Sequence, residues 1–371
     1  MSGFSFGFSG DDIDIDDADV QVVDQQRVGQ EADTTSTLPE LVQAQRHEMH
    51  EWLPTLPSQI SYNKCIVSSA QGDGTRAGIT VARRDVFDIR AQLMVEDSAE
   101  EQNAELIAGL EKGDIKPNFY EGGFKTWECS IDLGKFVAGE NMGDADKHVV
   151  ELGAGTAVPS LTLFAQLLSR TEAVTKRTQF TFADYNSAVL RLVTLPNLIL
   201  TWNYLVTRHD VSSSDPQTQE EGEANESEEE MLDITPDLLS AFQTDLARRG
   251  ITISFVSGAW SPAFVDLVFS SPVLVGFSTL ILASETIYSP ASLRAFSETL
   301  LALLRRPFAA GGRALVAAKK VYFGVGGGVD EFLGVLRTVG SGDGLSVKVE
   351  ERLDVKSEGV GRTILEIGIG E

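Results

Sequence analysis

Two places in the sequence put chemically capable side chains at the ends of apolar runs. The first is Val149-Val150-Glu151-Leu152-Gly153-Ala154-Gly155, an apolar run that ends in a glycine turn. Gly153 and Gly155 remove side chains, so the backbone there can approach a ligand closely, and Pro159 suits the first turn of a following helix. The second is Leu282-Ala283-Ser284-Glu285-Thr286-Ile287-Tyr288, where Ser284 and Glu285 close an apolar run and Tyr288 adds a phenol just beyond. A charge that closes an apolar strand needs a reason, either a cap or buried pair or a chemical role.

The glycine turn discriminates between ligands. Dinucleotide enzymes show G-x-G-x-x-G, whose third glycine lets the helix pack closely around a pyrophosphate, whereas the third position here is Val158. An adenosyl amino acid carries no phosphate and needs only the two-glycine turn, so S-adenosylmethionine is the expected cofactor. Glu151, Gly153 and Gly155 are its first candidate ligands. Asp184, in Phe182-Ala183-Asp184-Tyr185-Asn186, ends the next apolar run. There a carboxylate can accept both ribose hydroxyls, with Asn186 beside it, or can cap a helix. Ser257-Gly258-Ala259-Trp260 ends the run after that, where Gly258 and Trp260 suit an adenine face and Trp260 equally suits a core. Ser284 completes the cofactor candidates on the central runs, and Glu285 and Tyr288 are expected beside the transferable methyl.

Elements that hold such groups follow from periodicity. Apolar runs at 148 to 152, 179 to 183, 252 to 256, 278 to 283, 313 to 318, 345 to 352 and 362 to 367 alternate with helical segments. That alternation predicts an α/β fold, a Rossmann-like parallel sheet of seven strands with helices on both faces, closed by a hairpin that sets the last strand antiparallel. Trp127, Ile131, Leu133 and Val137 predict an amphipathic helix over 127 to 138. Ile79 to Ala82 and Val86 to Arg90 flank a polar turn and predict a β-hairpin in a small N-terminal cap. The expected organisation is a disordered acidic segment at 1 to 38, an extension with the cap at 39 to 125, and the main domain at 126 to 371 with an acidic loop insertion at 211 to 232.

Charge and composition bound the partners. Residues 11 to 33 hold nine acidic residues against Arg27, and residues 211 to 233 hold nine against no basic residue, so −17 of the net −25 falls in two short segments. Such segments stay solvated, and they also suit a basic protein partner. No basic stripe exists to neutralise phosphates, so direct nucleic-acid binding is not expected. No run approaches the roughly 20 consecutive apolar residues of a membrane span, and Met1 to Phe4 do not begin a signal segment, which predicts a soluble intracellular chain. Cys65 and Cys129 are expected to be reduced thiols, and His47, His50, His148 and His209 form no metal spacing.

Residues 119 to 136 (FYEGGFKTWECSIDLGKF), 149 to 160 (VVELGAGTAVPS), 182 to 202 (FADYNSAVLRLVTLPNLILTW), 282 to 290 (LASETIYSP) and 318 to 328 (AKKVYFGVGGG) resemble the eukaryotic protein-histidine N-methyltransferases. The opening FSFGFSGDD is similar to fungal members. Lysine-directed relatives commonly show Asp-x-x-Tyr at the fourth strand, where this chain has Glu285-x-x-Tyr288. The resemblance implies methylation of a ring nitrogen of one histidine in the third universal protein of the large ribosomal subunit, in cytoplasm and nucleus and by a monomer. It also implies that the helix beginning at Trp127 borders the cofactor, which adds Trp127 to the candidates. The Lys319 to Gly328 segment reads either as a loop that stacks an aromatic on the target ring or as a flexible connector. Two other readings stand beside this one: a protein-lysine methyltransferase of the same architecture, and a cofactor-binding chaperone of a ribosomal protein.

Overall fold

A computed structural model describes residues 42–67, 78–96, 122–140, 145–170, 176–214, 230–271, 274–306, 311–324, 326–356 and 359–370. The expected disordered segment at 1 to 38 lies outside the described residues. The strands are β1 (Gln45–His47), β2 (Gln59–Val67), β3 (Ile79–Arg84), β4 (Lys147–Leu152), β5 (Thr178–Asp184), β6 (Glu230–Asp233), β7 (Ile251–Ser257), β8 (Ser278–Ser284), β9 (Gly312–Lys319), β10 (Ser346–Val355) and β11 (Arg362–Gly370). The helices that matter below are α1 (Val86–Glu96), α2 (Glu128–Ala138), α3 (Val158–Leu168), α4 (Leu195–Ser214), α5 (Pro236–Arg248), α6 (Pro262–Val268), α7 (Pro290–Leu304) and α8 (Val329–Gly342).

The main sheet runs β1-β7-β5-β4-β8-β9-β11-β10. The seven apolar runs therefore appear in the order third, second, first, fourth, fifth, seventh, sixth, the order of a seven-strand methyltransferase sheet. The five central strands are parallel, and β11 enters antiparallel between β9 and β10. Alternate residues feed two cores. Val149, Phe182, Phe255, Leu282 and Leu315 face one cluster with α2, α3 and α5, while Val150, Ala183, Val256, Ile281 and Val316 face another with α6, α7 and α8.

Register sets the chemistry on one edge. Leu152 lies opposite Ala183 and Ala283, Asp184 opposite Ser257, and Ser284 opposite Ala317. Gly153, Asp184, Gly258 and Glu285 thus all emerge from the carboxyl ends of neighbouring strands.

Three expectations are corrected. Gln45–His47 adds an eighth, antiparallel strand on the β7 edge. In the cap, β3 pairs with β2 rather than with residues 86 to 90, which begin α1. Asp85 decides this: its carboxylate accepts the Phe87 N–H at 2.7 Å, and Arg84 and Asp88 pair one turn apart. The insertion is also shorter than its acidic composition suggests, since α4 runs to Ser214 and Glu230–Asp233 forms β6 against β2, where Glu230 takes hydrogen bonds from Tyr62 and Lys64.

The cap docks on α4, where Thr201 Oγ1 accepts the Ala82 N–H at 3.0 Å and Asn197 Oδ1 the Arg84 N–H at 2.7 Å. All of these elements belong to one compact unit, Leu41–Glu371. Residues Ser187–Thr207 are long and apolar enough to cross a membrane, yet 72% of the apolar 18-residue window within them is buried inside the protein, where it serves as a core helix.

Candidate active site

The turn after β4 is held by its neighbours on every side. Gly153 and Gly155 both have left-handed backbone, at φ 65° and 50°. A Cβ at Gly153 would lie 2.8 Å from Thr286 Cγ2, and one at Gly155 would lie 3.2 Å from the Gly123 carbonyl oxygen. Conformation and packing therefore demand glycine at both positions before any ligand is considered. The turn is tied down by Ala154 N–H to the Ala183 carbonyl at 2.8 Å, Thr194 Oγ1 to the Gly155 carbonyl at 2.7 Å and Asn197 Nδ2 to the Thr156 carbonyl at 3.1 Å.

Asp184 is the hinge between this turn and the next strand end. Its Oδ2 accepts the Gly155 N–H and its Oδ1 the Asn186 N–H, both at 3.1 Å. Asn186 is the helix cap, accepting the Ala188 N–H at 2.9 Å. Asp184 is thereby fixed with its carboxylate at the strand edge. Beneath the turn, Glu151 is 1% exposed, and its Oε2 accepts the Ser160 N–H at 3.1 Å from the first turn of α3. Its Oε1 has no hydrogen-bond partner, and burial pushes the carboxyl up to about 8 against the lowering effect of the Ser160 bond.

The segment that precedes α2 covers the turn. Gly123 lies against Gly155, Thr126 Oγ1 bonds Thr156 Oγ1 at 3.0 Å, and Trp127 donates its indole N–H to the Gly122 carbonyl at 2.9 Å. The Lys319 ammonium lies 5.9 Å from the Trp127 ring centroid. Trp127 therefore bridges the cover and the end of β9.

Glu285 follows β8 with φ 56°, a left-handed conformation that is rare for a residue with a Cβ. Its N–H bonds the Ala317 carbonyl at 3.0 Å. Its carboxylate lies close enough to the Tyr322 phenol and the Cys129 thiol to act on both electrostatically, and its Oε1 is buried without a hydrogen-bond partner. Burial, and then the negative charge of Glu285, push both the phenol and the thiol far up, so both stay protonated.

Tyr288 lies 6.3 Å from Tyr322 between ring centroids. The described residues of the Lys320 to Gly328 segment are tied down. Val321 and Gly328 form a β-bridge, Tyr322 N–H bonds the Gly327 carbonyl at 3.3 Å, and Gly327 packs so closely on Tyr288 that a Cβ would lie 2.5 Å from the Tyr288 carbonyl oxygen.

The structure thus gathers Trp127, Glu151, Gly153, Gly155, Asp184, Asn186, Ser284, Glu285 and Tyr288 at one edge. Gly258 reaches that edge through its backbone, donating to the Asp184 carbonyl at 3.1 Å, but its missing side chain makes room for residues 43 and 44, since a Cβ would lie 2.6 Å from the Gln43 carbonyl oxygen. Trp260 turns away. Its ring packs edge-on against Phe264 at 5.1 Å and Phe296 at 5.9 Å, between α6 and α7. Sequence reasoning missed Gly123, Thr286, Cys129 and the specific place of Tyr322. The Gly122-Gly123 pair carried a turn signal; the other contacts are purely tertiary. Among the described residues no cluster of metal-ligating side chains occurs.

No protein-family model matches the chain. Curated relatives do. Histidine protein methyltransferase 1 of Saccharomyces cerevisiae is 38% identical over 293 residues, covering 76% of this chain and 75% of the relative. The Schizosaccharomyces pombe protein of the same name is 32% identical over 368 residues, covering 98% and 92%. The histidine protein methyltransferase 1 homolog of Rattus norvegicus is 32% identical over 254 residues, covering 68% and 58%. Among solved structures, a precorrin-6y C5,15-methyltransferase from Geobacter metallireducens aligns with a TM-score of 0.32 at 12% identity, over 66% of this chain and 92% of that one. Identity of this extent to both yeast proteins assigns the chain to the histidine protein methyltransferase family and makes it a methyltransferase.

Proposed function

We propose that the protein transfers a methyl group from S-adenosylmethionine to a ring nitrogen of one histidine in the third universal protein of the large ribosomal subunit. The observation that carries the reading is Glu285, a carboxylate fixed in left-handed backbone at the end of the central strand, beside the glycine turn, with one oxygen lacking a donor. The residues present fit the cofactor. Asp184 is positioned for the ribose hydroxyls, the glycine turn for the amino-acid end, and the unpartnered Oε1 of Glu151 for a cationic group. When bound, S-adenosylmethionine supplies an electrophilic methyl group, the target nitrogen's lone pair forming the new N–C bond as the C–S pair stays on sulfur.

A histidine near its ordinary pKa of about 6.5 is largely neutral at pH 7 and above, so the attacking nitrogen already carries a lone pair and no strong base is needed. The chain's task is to place the ring in line and to accept the N–H of the other nitrogen, which selects the tautomer and steadies the ring as it becomes cationic. Glu285 is that acceptor, and Tyr288 shapes the ring's slot. The net charge of −25 supports a basic protein as partner. We place the reaction in the cytoplasm and nucleus, where ribosomal proteins are made and assembled, and assign it to the monomer.

The test is incubation of the purified protein and labelled cofactor with lysate lacking the endogenous activity, followed by mass spectrometry of the labelled residue. Label on histidine of the large-subunit protein is expected; label on lysine sinks the reading. In the same assay Glu285→Gln should lower kcat by about a hundredfold while cofactor affinity, followed by calorimetry, stays near wild type.

A further inference from the structure

Between Leu192 and Trp202 the core helix is apolar except at Thr194, Asn197 and Thr201, and all three of these side chains are fully buried. Spaced three and four residues apart, they fall on one side of the helix. Buried polar groups need partners, and here every partner is backbone.

The stripe has two ends. At one, Thr194 Oγ1 donates to the Gly155 carbonyl at 2.7 Å and Asn197 Nδ2 to the Thr156 carbonyl at 3.1 Å, both in the turn after β4. At the other, Asn197 Oδ1 accepts the Arg84 N–H at 2.7 Å and Thr201 Oγ1 the Ala82 N–H at 3.0 Å, both in β3. Asn197 alone of the three bonds both ends. Because β3 is an outer strand of the cap sheet, its outward N–H groups need acceptors, and the stripe stands where a further strand would. Arg84 makes a second connection. Its buried guanidinium donates to the Leu192 carbonyl at 3.0 Å, within a π-helical stretch, Leu190–Thr194, that ends on Thr194 itself.

An apolar residue at 197 would leave the Arg84 N–H and the Thr156 carbonyl without the bonds they now make. We propose that Asn197 is a positioning residue for the cofactor turn, tying it to the cap so that cap docking and cofactor binding stabilise each other. This rests on the reading of the glycine turn as the S-adenosylmethionine site, and is independent of which residue receives the methyl group. Such coupling is reciprocal: a cap that holds the turn in shape for the cofactor is itself held by bound cofactor.

Calorimetric affinity for S-adenosylmethionine and amide exchange, both on the full chain, test the link. Asn197→Ala should weaken binding by about tenfold, and Thr201→Val, which removes a hydroxyl that bonds only Ala82, by about threefold. In the wild type, saturating cofactor should slow exchange at Ala82 and Arg84 more than in β10, at the outer edge of the main sheet, and Asn197→Ala should erase the excess at Ala82. A general gain in stability on binding would slow all of them alike. Either an unchanged affinity in Thr201→Val or equal slowing at Ala82 and β10 overturns the proposal. Should Asn197→Ala fail to fold, Thr194→Val takes its place in both measurements, since it cuts the turn end of the stripe alone. A wild-type chain that binds no S-adenosylmethionine would instead overturn the cofactor reading.

Discussion

Glu151 and His148 sit three residues apart on β4 and therefore on opposite faces of the sheet, both buried and both titrating abnormally. Burial pushes the His148 imidazole down to about 3, with Nε2 bonded to Thr181 Oγ1 at 2.8 Å and Nδ1 unpartnered. The unfolded chain then binds a proton that the folded one refuses between pH 6.5 and about 3. The His148 contribution is intact above 6.5 and erodes as pH falls, at no more than about 1.4 kcal/mol per pH unit. Glu151 works the other way. Its folded value of about 8 exceeds 4.5, so the folded chain keeps a proton that the unfolded one loses, and stability falls as pH rises from 4.5 to 8. Glu151→Gln should remove that fall. Urea midpoints of variant and wild type should converge near pH 4.5, with the variant higher at pH 8. A bound cationic group would draw that proton off, so the same variant should weaken cofactor binding by about tenfold as a charge-assisted bond becomes a neutral one; equal affinity by calorimetry would leave Glu151 a structural acid only.

At the scale of elements, β1 depends on a single glycine. Gly258 has φ 113°, and residues 43 and 44 run so close that any side chain there would overlap their backbone. Gly258→Ala should displace the strand and destabilise the fold by about 2–3 kcal/mol, with the loss of amide-exchange protection concentrated at residues 45 to 47; unchanged protection there would contradict the dependence. The same strand shows where sequence reading stops. The five central strands were legible because buried parallel strands are continuous apolar runs between helices. Gln45–His47 has no such pattern; it pairs with the backbone edge of β7, and His47 Nε2 lies 2.7 Å from Ser257 Oγ on that strand. Val86 to Ile89 looked like a strand because Val, Phe and Ile favour strands, and the cap from Asp85 overrides that preference. In the site, strand-end residues such as Asp184 and Glu285 were legible by position. Cys129 and Tyr322 were not, because their contact with Glu285 depends on how α2 and the segment after β9 fold back over β8. Trp260 was ambiguous for a related reason: an aromatic just past a strand suits a ligand or the adjacent helix layer, and the structure packs it on Phe264 and Phe296 of that layer.

For the whole molecule the decisive quantity is where the negative charge lies relative to the catalytic edge. Residues 215 to 229 carry seven acidic side chains and no basic one, between the end of α4 and the start of β6. Both flanks are anchored, α4 in the core and β6 on β2, so the segment can be exchanged for a neutral linker of equal length without changing the closure of either element. If those charges draw in a basic substrate, the exchange should leave kcat at saturation unchanged and raise KM several-fold at low salt. The difference should shrink as ionic strength approaches about 0.15 M, where the Debye length is about 8 Å. Charges that merely keep the chain solvated would give the same KM at every salt concentration. A chaperone whose acidic segments are its binding site would instead lose partner binding while methyl transfer to a short histidine peptide, too small to reach them, continued at the full rate. Measuring KM against salt for the ribosomal protein and for such a peptide, in both chains, separates the three outcomes.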